Sequence, residues 1–173
     1  MISLLMCGGR GTRLGRGEKP LFEVCGMRLI DHSINALKRC RLIGVTSPFT
    51  PKTEEYLRER GYEVYRAKGI GFIEDYRECI TSLSLKGPLL IVSADLVYLR
   101  DGIIDEILEF YSRCSRKSLK VVKDGKPVGI NIVVAEIEGE QDEESYIVNE
   151  VINVNTLGDA ERAEKLWISM KKD

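Results

Sequence analysis

Short apolar runs alternate with stretches of helical period along most of the chain. Ile2 to Met6 reads as a strand. Ile30, Ile34 and Leu37 recur at helical spacing, with Asp31 near the start to complement the helix dipole, and this helix is expected to end near Arg39. Leu42 to Thr46 is a second strand, broken by Ser47-Pro48-Phe49-Thr50-Pro51. Thr50 can cap a helix that carries Pro51 at its first position and stops at Gly61. Tyr62 to Tyr65 alternates as a third strand, and Lys68-Gly69-Ile70-Gly71 forms a glycine loop. From Ile73 to Leu83, the residues Ile73, Tyr76, Ile80 and Leu83 share one helical face. Leu89-Leu90-Ile91-Val92 is a continuous apolar run, the mark of a parallel strand buried on both faces. Ile103 to Cys114 returns to helical period, with Ile104, Ile107, Leu108 and Tyr111 facing the core.

The alternation then changes. Leu119 to Lys123 and Val128 to Val134 flank Asp124-Gly125-Lys126-Pro127, a strong hairpin signal. Gly139 to Glu144 reads as an exposed acidic turn, and Tyr146 to Val154 as a last strand. Thr156 and Asp159 make a capping-box-like start to a helix carrying Ala160, Ala163, Leu166, Trp167 and Met170. Repeated strand–helix alternation predicts an α/β fold: a Rossmann-like, mostly parallel but mixed sheet with helices on both faces. The length of 173 residues fits one domain spanning 1–173.

Composition narrows the function classes. The 26 basic and 27 acidic residues nearly cancel, leaving no electrostatic footprint for nucleic acid or an anionic membrane. The apolar N-terminal run is too short for a signal peptide or a membrane span. The 5 cysteines show no zinc-ligand spacing, and their odd number points to a reducing, cytoplasmic setting. His32 is the only histidine, which excludes a multi-histidine metal site; it reads as a half-buried helix residue.

The candidate chemistry begins directly after the first strand, in Cys7-Gly8-Gly9-Arg10-Gly11-Thr12-Arg13-Leu14-Gly15, followed by Glu18-Lys19-Pro20. Glycines let the backbone approach a ligand closely, and their N–H groups can converge on an anion. Arg10, Arg13 and Lys19 add positive charge, and arginine forks onto phosphate oxygens. A Walker loop is ruled out because no glycine has the required spacing to Gly-Lys-Ser/Thr. The dinucleotide fingerprint fails too, since the last position counted from Gly9 is Leu14. Asp95 sits in Ser93-Ala94-Asp95-Leu96, at the carboxyl end of the most buried strand, where α/β sheets collect ligands. A carboxylate there can hold Mg²⁺; a cap for the following segment is the plainer reading.

This loop, with its Gly-Thr-Arg form and Glu-Lys-Pro-Leu continuation, resembles the signature of the nucleotidyltransferase superfamily, which holds sugar-phosphate, molybdopterin and cobinamide-phosphate nucleotidyltransferases. The resemblance covers essentially the whole chain and implies the nucleotide-diphospho-sugar transferase type of fold. It implies that Cys7, Gly8, Gly9, Arg10, Gly11, Thr12, Arg13 and Lys19 wrap a nucleoside triphosphate, with Arg13 on the β and γ phosphates. It assigns Asp95 to the nucleotide's magnesium and makes Arg13, Lys19 and Asp95 the catalytic set.

Asn153-Val154-Asn155-Thr156-Leu157-Gly158-Asp159 resembles a late segment of the molybdopterin and cobinamide-phosphate members. Asn155 is thereby a candidate for the acceptor and Asp159 for the metal, against the plainer reading of a strand exit and helix cap. Asn131 lies in a region that faces the acceptor in relatives. Gly71 and Asp75 lie where relatives read the base, and Ser47 to Thr50, after the second strand, can line the same pocket; a carboxylate suits the N–H donors of guanine. Asp75 has the competing reading of a solvated acid on a helix surface. The loop wording and the segment Gly-Ile-Gly-Phe-Ile-Glu-Asp look more like the archaeal adenosylcobinamide-phosphate guanylyltransferase branch than the molybdopterin branch. That branch moves GMP from GTP to adenosylcobinamide phosphate in cobalamin assembly. Molybdopterin guanylyl transfer, sugar-1-phosphate nucleotidyl transfer and a GTP-binding regulatory module without turnover are the alternatives, and a homodimer stays open.

Overall fold

The computed structural model describes residues 1–11, 14 and 17–170. Its centre is a seven-stranded sheet of order β10-β8-β9-β6-β1-β4-β5. In chain order the strands are β1 (Ile2–Met6), β2 (Glu23–Val24), β3 (Met27–Arg28), β4 (Arg41–Thr46), β5 (Glu63–Arg66), β6 (Pro88–Ser93), β7 (Leu96–Tyr98), β8 (Ser118–Lys123), β9 (Lys126–Val134), β10 (Glu143–Ile147) and β11 (Val151–Asn153). The helices are α1 (Leu29–Ala36), α2 (Pro51–Glu59), α3 (Phe72–Ser82), α4 (Ile103–Arg113) and α5 (Leu157–Met170). β1 pairs in parallel with both β4 and β6, and β5 extends β4 in parallel. β9 runs antiparallel to both β6 and β8, and β10 returns to a parallel pairing with β8. The chain therefore moves outward from β1 through β4 and β5, then reverses to build the other half from β6. Such a switch point opens a crevice at the strands' carboxyl ends.

β1, β4 and β6 are buried through most of their length, as their continuous apolar runs require. On one face, Ile30 and Leu37 of α1, Tyr56 and Leu57 of α2 and Ile103, Ile104 and Ile107 of α4 share a core with Leu5, Leu90, Leu119 and Ile130. On the other face, among the described residues, α3 is the one helix in the core, packing Tyr76, Cys79 and Ile80 on Leu4, Met6, Ile43 and Ile91. Its buried stripe is Asp75, Tyr76, Cys79 and Ile80, rotated from the expected one; Ile73 is 54% exposed and Leu83 37%. Because α3 covers only part of this face, the sheet beyond β6 is left open there.

The Asp-Gly turn forms as the sequence implies, with φ of +50° at Asp124 and +72° at Gly125, the backbone that suits a tight hairpin. Three expectations need correction. The acidic stretch after Gly139 is not all turn, because Glu143 and Glu144 start β10. The run from Tyr146 to Val154 is two strands: β10 on the main sheet and β11, which pairs antiparallel with β7. That ribbon, with Val24, Leu29, Ala160 and Ala163, forms a separate small core beneath α5. His32 is fully buried there rather than half-buried, its Nε2–H donating to the Val24 carbonyl at 2.9 Å and its ring edge-on to Trp167. Among the described residues no helix is long and apolar enough to cross a membrane.

Candidate active site

The loops after β1, β4, β5 and β6 surround a cleft of about 480 Å³ at their carboxyl ends. Cys7, Gly8, Gly9, Arg10 and Gly11 form one wall, Gly69, Ile70, Gly71 and Asp75 another, and Lys19, Asp95 and Asn155 close the far end. Gly8, Gly9, Arg10 and Gly11 line the cleft, and their N–H groups donate to no acceptor among the described residues. Gly11 needs to be glycine twice over. Its φ is +59°, and a Cβ there would lie 3.0 Å from the Cβ of Lys19. Thr12 and Arg13, expected to bind phosphate, lie outside the described residues.

Lys19 is the hub. Its ammonium is ion-paired to Asp95 Oδ2 and donates to Asn155 Oδ1 at 2.8 Å. The side chains of Lys19 and Asp95 are 15% and 16% exposed, so the pair is shielded yet reachable from the cleft. Ser93 Oγ donates to the other oxygen, Asp95 Oδ1. The structure thus joins three sequence candidates, Lys19, Asp95 and Asn155, in one cluster from remote parts of the chain. The backbone does the same: β7 and β11 pair, and Val154 N–H donates to the Asp95 carbonyl at 2.9 Å.

Asp75, Ser47, Asp159 and Asn131 occupy four different settings. Asp75 is not a solvated surface acid but 5% exposed. Its Oδ1 accepts from the N–H groups of Gly69 at 3.0 Å and Ile70 at 3.1 Å, tying the second glycine loop to α3. Its Oδ2 sits beside Gly8, 3.4 Å from where a Cβ would be. Ser47 does not line the cleft; it is buried beneath the first loop, where its hydroxyl donates to the Gly8 carbonyl at 2.7 Å. Asp159 makes the capping box: its Oδ2 accepts from Asn155 N–H, Thr156 N–H and the Thr156 hydroxyl, while its own N–H donates to Thr156 Oγ1. Burial works against its ionisation, but these hydrogen bonds and the nearby Lys19 charge hold its carboxyl below the ordinary range. Asn131 lies outside the first cleft, in a neighbouring groove.

That second groove, about 1270 Å³, runs between α3 and the open face of β8 and β9. Ile73, Tyr76, Ile80 and Val133 supply apolar surface, and Lys120, Asn131, Gln141 and Asn153 polar groups. Asn153 Oδ1 is buried and has no hydrogen-bond partner among the described residues. Ser93 and Phe72 border both cavities, so the groove opens beside Asp95.

Phe49 belongs to the Ser47 to Thr50 stretch expected beside the pocket. It lines the cleft with its ring packed on Gly69 and the Arg10 guanidinium 4.4 Å above it. Sequence reasoning missed two contributors, Asn153 and Glu18. Asn153 was seen only as part of a motif. Glu18 carries a hydrogen-bonding role that no local pattern announces. Cys7 lines the cleft, but burial, with the charges of Asp95 and Glu18 adding, pushes its thiol far above the usual range. That setting disfavours the thiolate that a nucleophilic cysteine needs.

The arrangement suits a triphosphate: the loop with these N–H groups, a lysine and an oxygen-donor carboxylate line one cavity. Among the described residues no group of three or more His, Cys, Asp or Glu could hold a metal alone. Asp95 offers a hard oxygen donor, which fits a Mg²⁺ that takes its other oxygens from phosphate and water.

Residues 3–146 match the MobA-like NTP transferase domain. The chain is 36% identical over 201 aligned positions to the adenosylcobinamide-phosphate guanylyltransferase of Methanocaldococcus jannaschii, covering 100% of this chain and 99% of that protein. It is 36% identical over 119 residues to a protein of Pyrococcus horikoshii named a probable molybdenum cofactor guanylyltransferase, covering 68% of this chain and 59% of that one. The fold matches the inositol-1-phosphate CTP transferase of T. maritima with a TM-score of 0.72 at 11% identity, covering 98% and 96% of the two chains. The chain belongs to the MobA-like NTP transferase domain family and is a nucleotidyltransferase.

Proposed function

We propose that the enzyme transfers GMP from GTP to adenosylcobinamide phosphate and releases pyrophosphate. The observation that carries the reading is the full-length likeness to the M. jannaschii enzyme of that name. Both named relatives are guanylyltransferases, which favours guanine over other bases. Asp75 Oδ2 is the base-reading group in this proposal, an acceptor for guanine N1–H and N2–H. The loop N–H groups, Lys19 and Arg13 hold the triphosphate. The acceptor lies in the second groove, its ring system against Ile73, Tyr76 and Val133, with Asn131 and Asn153 as hydrogen-bond partners and its phosphate beside Ser93 and Asn155.

In this reading an acceptor phosphate oxygen attacks the α-phosphorus in line and pyrophosphate departs. The residues align the two substrates and neutralise charge rather than form a covalent intermediate. Lys19 leaves Asp95 for the phosphates, adding its positive charge where the departing pyrophosphate gathers negative charge. Asp95 and Ser93 would hold the magnesium, which supplies Lewis-acid neutralisation of the phosphates when bound.

Incubating the protein with GTP, Mg²⁺ and adenosylcobinamide phosphate should release pyrophosphate and give a guanylylated corrinoid by mass spectrometry. ATP and CTP should give far less product, and EDTA should stop the reaction until Mg²⁺ is restored. A second reading, molybdopterin guanylyl transfer, rests on the P. horikoshii relative. GTP turnover with molybdopterin and none with the corrinoid would select it.

A further inference from the structure

We propose that Glu18 is a positioning residue for the transfer, clamping the segment that carries Lys19 to the amino end of α2. This rests on the transfer reading and adds to it a residue that touches no substrate. Glu18 Oε1 accepts from Lys52 N–H at 2.8 Å, and Oε2 accepts from Thr53 N–H and the Thr53 hydroxyl, each at 2.6 Å. Helix N-termini leave N–H groups unsatisfied and favour a nearby negative charge. The residue placed to cap α2 locally does not do so: Thr50 makes no side-chain cap bond, and its Oγ1 instead accepts from Ser47 N–H at 3.1 Å. The cap comes from Glu18, 34 residues before Lys52.

The position of that carboxylate in the chain gives it a second effect. Glu18 directly precedes Lys19, and Lys19–Leu21 forms one turn of 3₁₀ helix with Pro20 buried within it. Pro20 fixes its own φ and restricts Lys19, so an anchor on Glu18 passes to the Lys19 backbone with little slack. The other end of the glycine loop is tied to the same segment, by Ser47 on the Gly8 carbonyl. Loop entry and loop exit are thus both fastened to the β4–α2 connection. Glu18 does not line the cleft, so it acts through Lys19. The Lys19 ammonium must reach Asp95 and Asn155, and misplacement by about 1 Å can cost on the order of 100-fold in rate.

The test is a double-mutant cycle of Glu18→Ala and Lys19→Ala, with Glu18→Gln as the conservative variant. The folded fraction of each is set by thermal unfolding followed through Trp167 fluorescence. Per folded enzyme, Glu18→Ala should lower kcat by roughly 10- to 100-fold with KM for GTP changed less than about threefold. Glu18→Gln, which keeps one acceptor, should recover part of the loss. In the Lys19→Ala background, Glu18→Ala should cost less than about twofold more. Equal losses in both backgrounds, or a loss explained wholly by unfolded protein, would overturn the clamp. If the wild type turns over GTP with no acceptor offered, the transfer reading fails separately. The same cycle is then read on the rate of that acceptor-free GTP turnover, where coupling upholds the clamp and additivity overturns it.

Discussion

Replacing Asp75 by Asn separates the two jobs that the structure and the proposed chemistry give its carboxylate. The side chain is 5% exposed, and Oδ1 holds Gly69 and Ile70 by N–H bonds of 3.0 and 3.1 Å. An asparagine oxygen can keep both bonds. What weakens is their charge-assisted part, about 1 kcal/mol, which lowers Tm by roughly 2–4 °C in a chain this size. The other position suffers more. Oδ2 beside Gly8 becomes an NH₂ group, so a donor meets the N1–H and N2–H donors of guanine. Two lost acceptor contacts to a charged group amount to about 3–4 kcal/mol, or on the order of 10²–10³ in GTP dissociation constant. Calorimetry of both proteins with GTP and with inosine triphosphate, which lacks the 2-amino group, measures this. The wild type should lose affinity for the inosine nucleotide, and the variant should discriminate far less. A GTP dissociation constant within about threefold of wild type, with an intact melt, would reduce Asp75 to a loop anchor.

Three further outcomes are expected. Asp95→Asn should lower kcat by roughly 10²–10³ in the pyrophosphate-release assay while moving GTP affinity much less, because its charge acts mostly on the developing transition state. Gly11→Ala should weaken GTP binding at least about tenfold by calorimetry, since a Cβ at φ of +59° costs about 1–2 kcal/mol and presses on Lys19. Burial lowers the pKa of His32, against an opposing hydrogen bond to the Val24 carbonyl. Below about pH 6.5 the unfolded chain therefore binds a proton that the folded chain resists, and stability falls until the lowered folded pKa is passed. Denaturant midpoints read from Trp167 fluorescence at pH 7.5 and 5.5 should show that fall, and His32→Asn should flatten it.

The sheet's parallel half was legible because β1, β4 and β6 are dense apolar runs, the edge strand β5 alternates, and the helices between them begin at a turn or proline. Asp95 could be placed at a strand end from that pattern alone, and the Thr156–Asp159 cap from its local spacing. What stayed hidden depends on contacts remote in sequence. β7 is only three residues long, too short to show a period, and its partner β11 lies 53 residues after it. The α3 stripe was misread because Asp75 is polar, and hydrophobic periodicity cannot see a carboxylate buried to tie down backbone N–H groups. Glu18 was invisible for the same reason: the helix it caps starts 33 residues later.

The β7–β11 ribbon has a consequence for synthesis. Lys19 and Asp95 emerge from the ribosome before Asn155 and the strand that fastens the Asp95 segment. A nascent chain can lay down β1, β4, β5 and β6 in order, yet its cleft stays open-ended until β11 is released. Chains stalled before β11 would carry the glycine loop without the strand that closes the far end of the cleft.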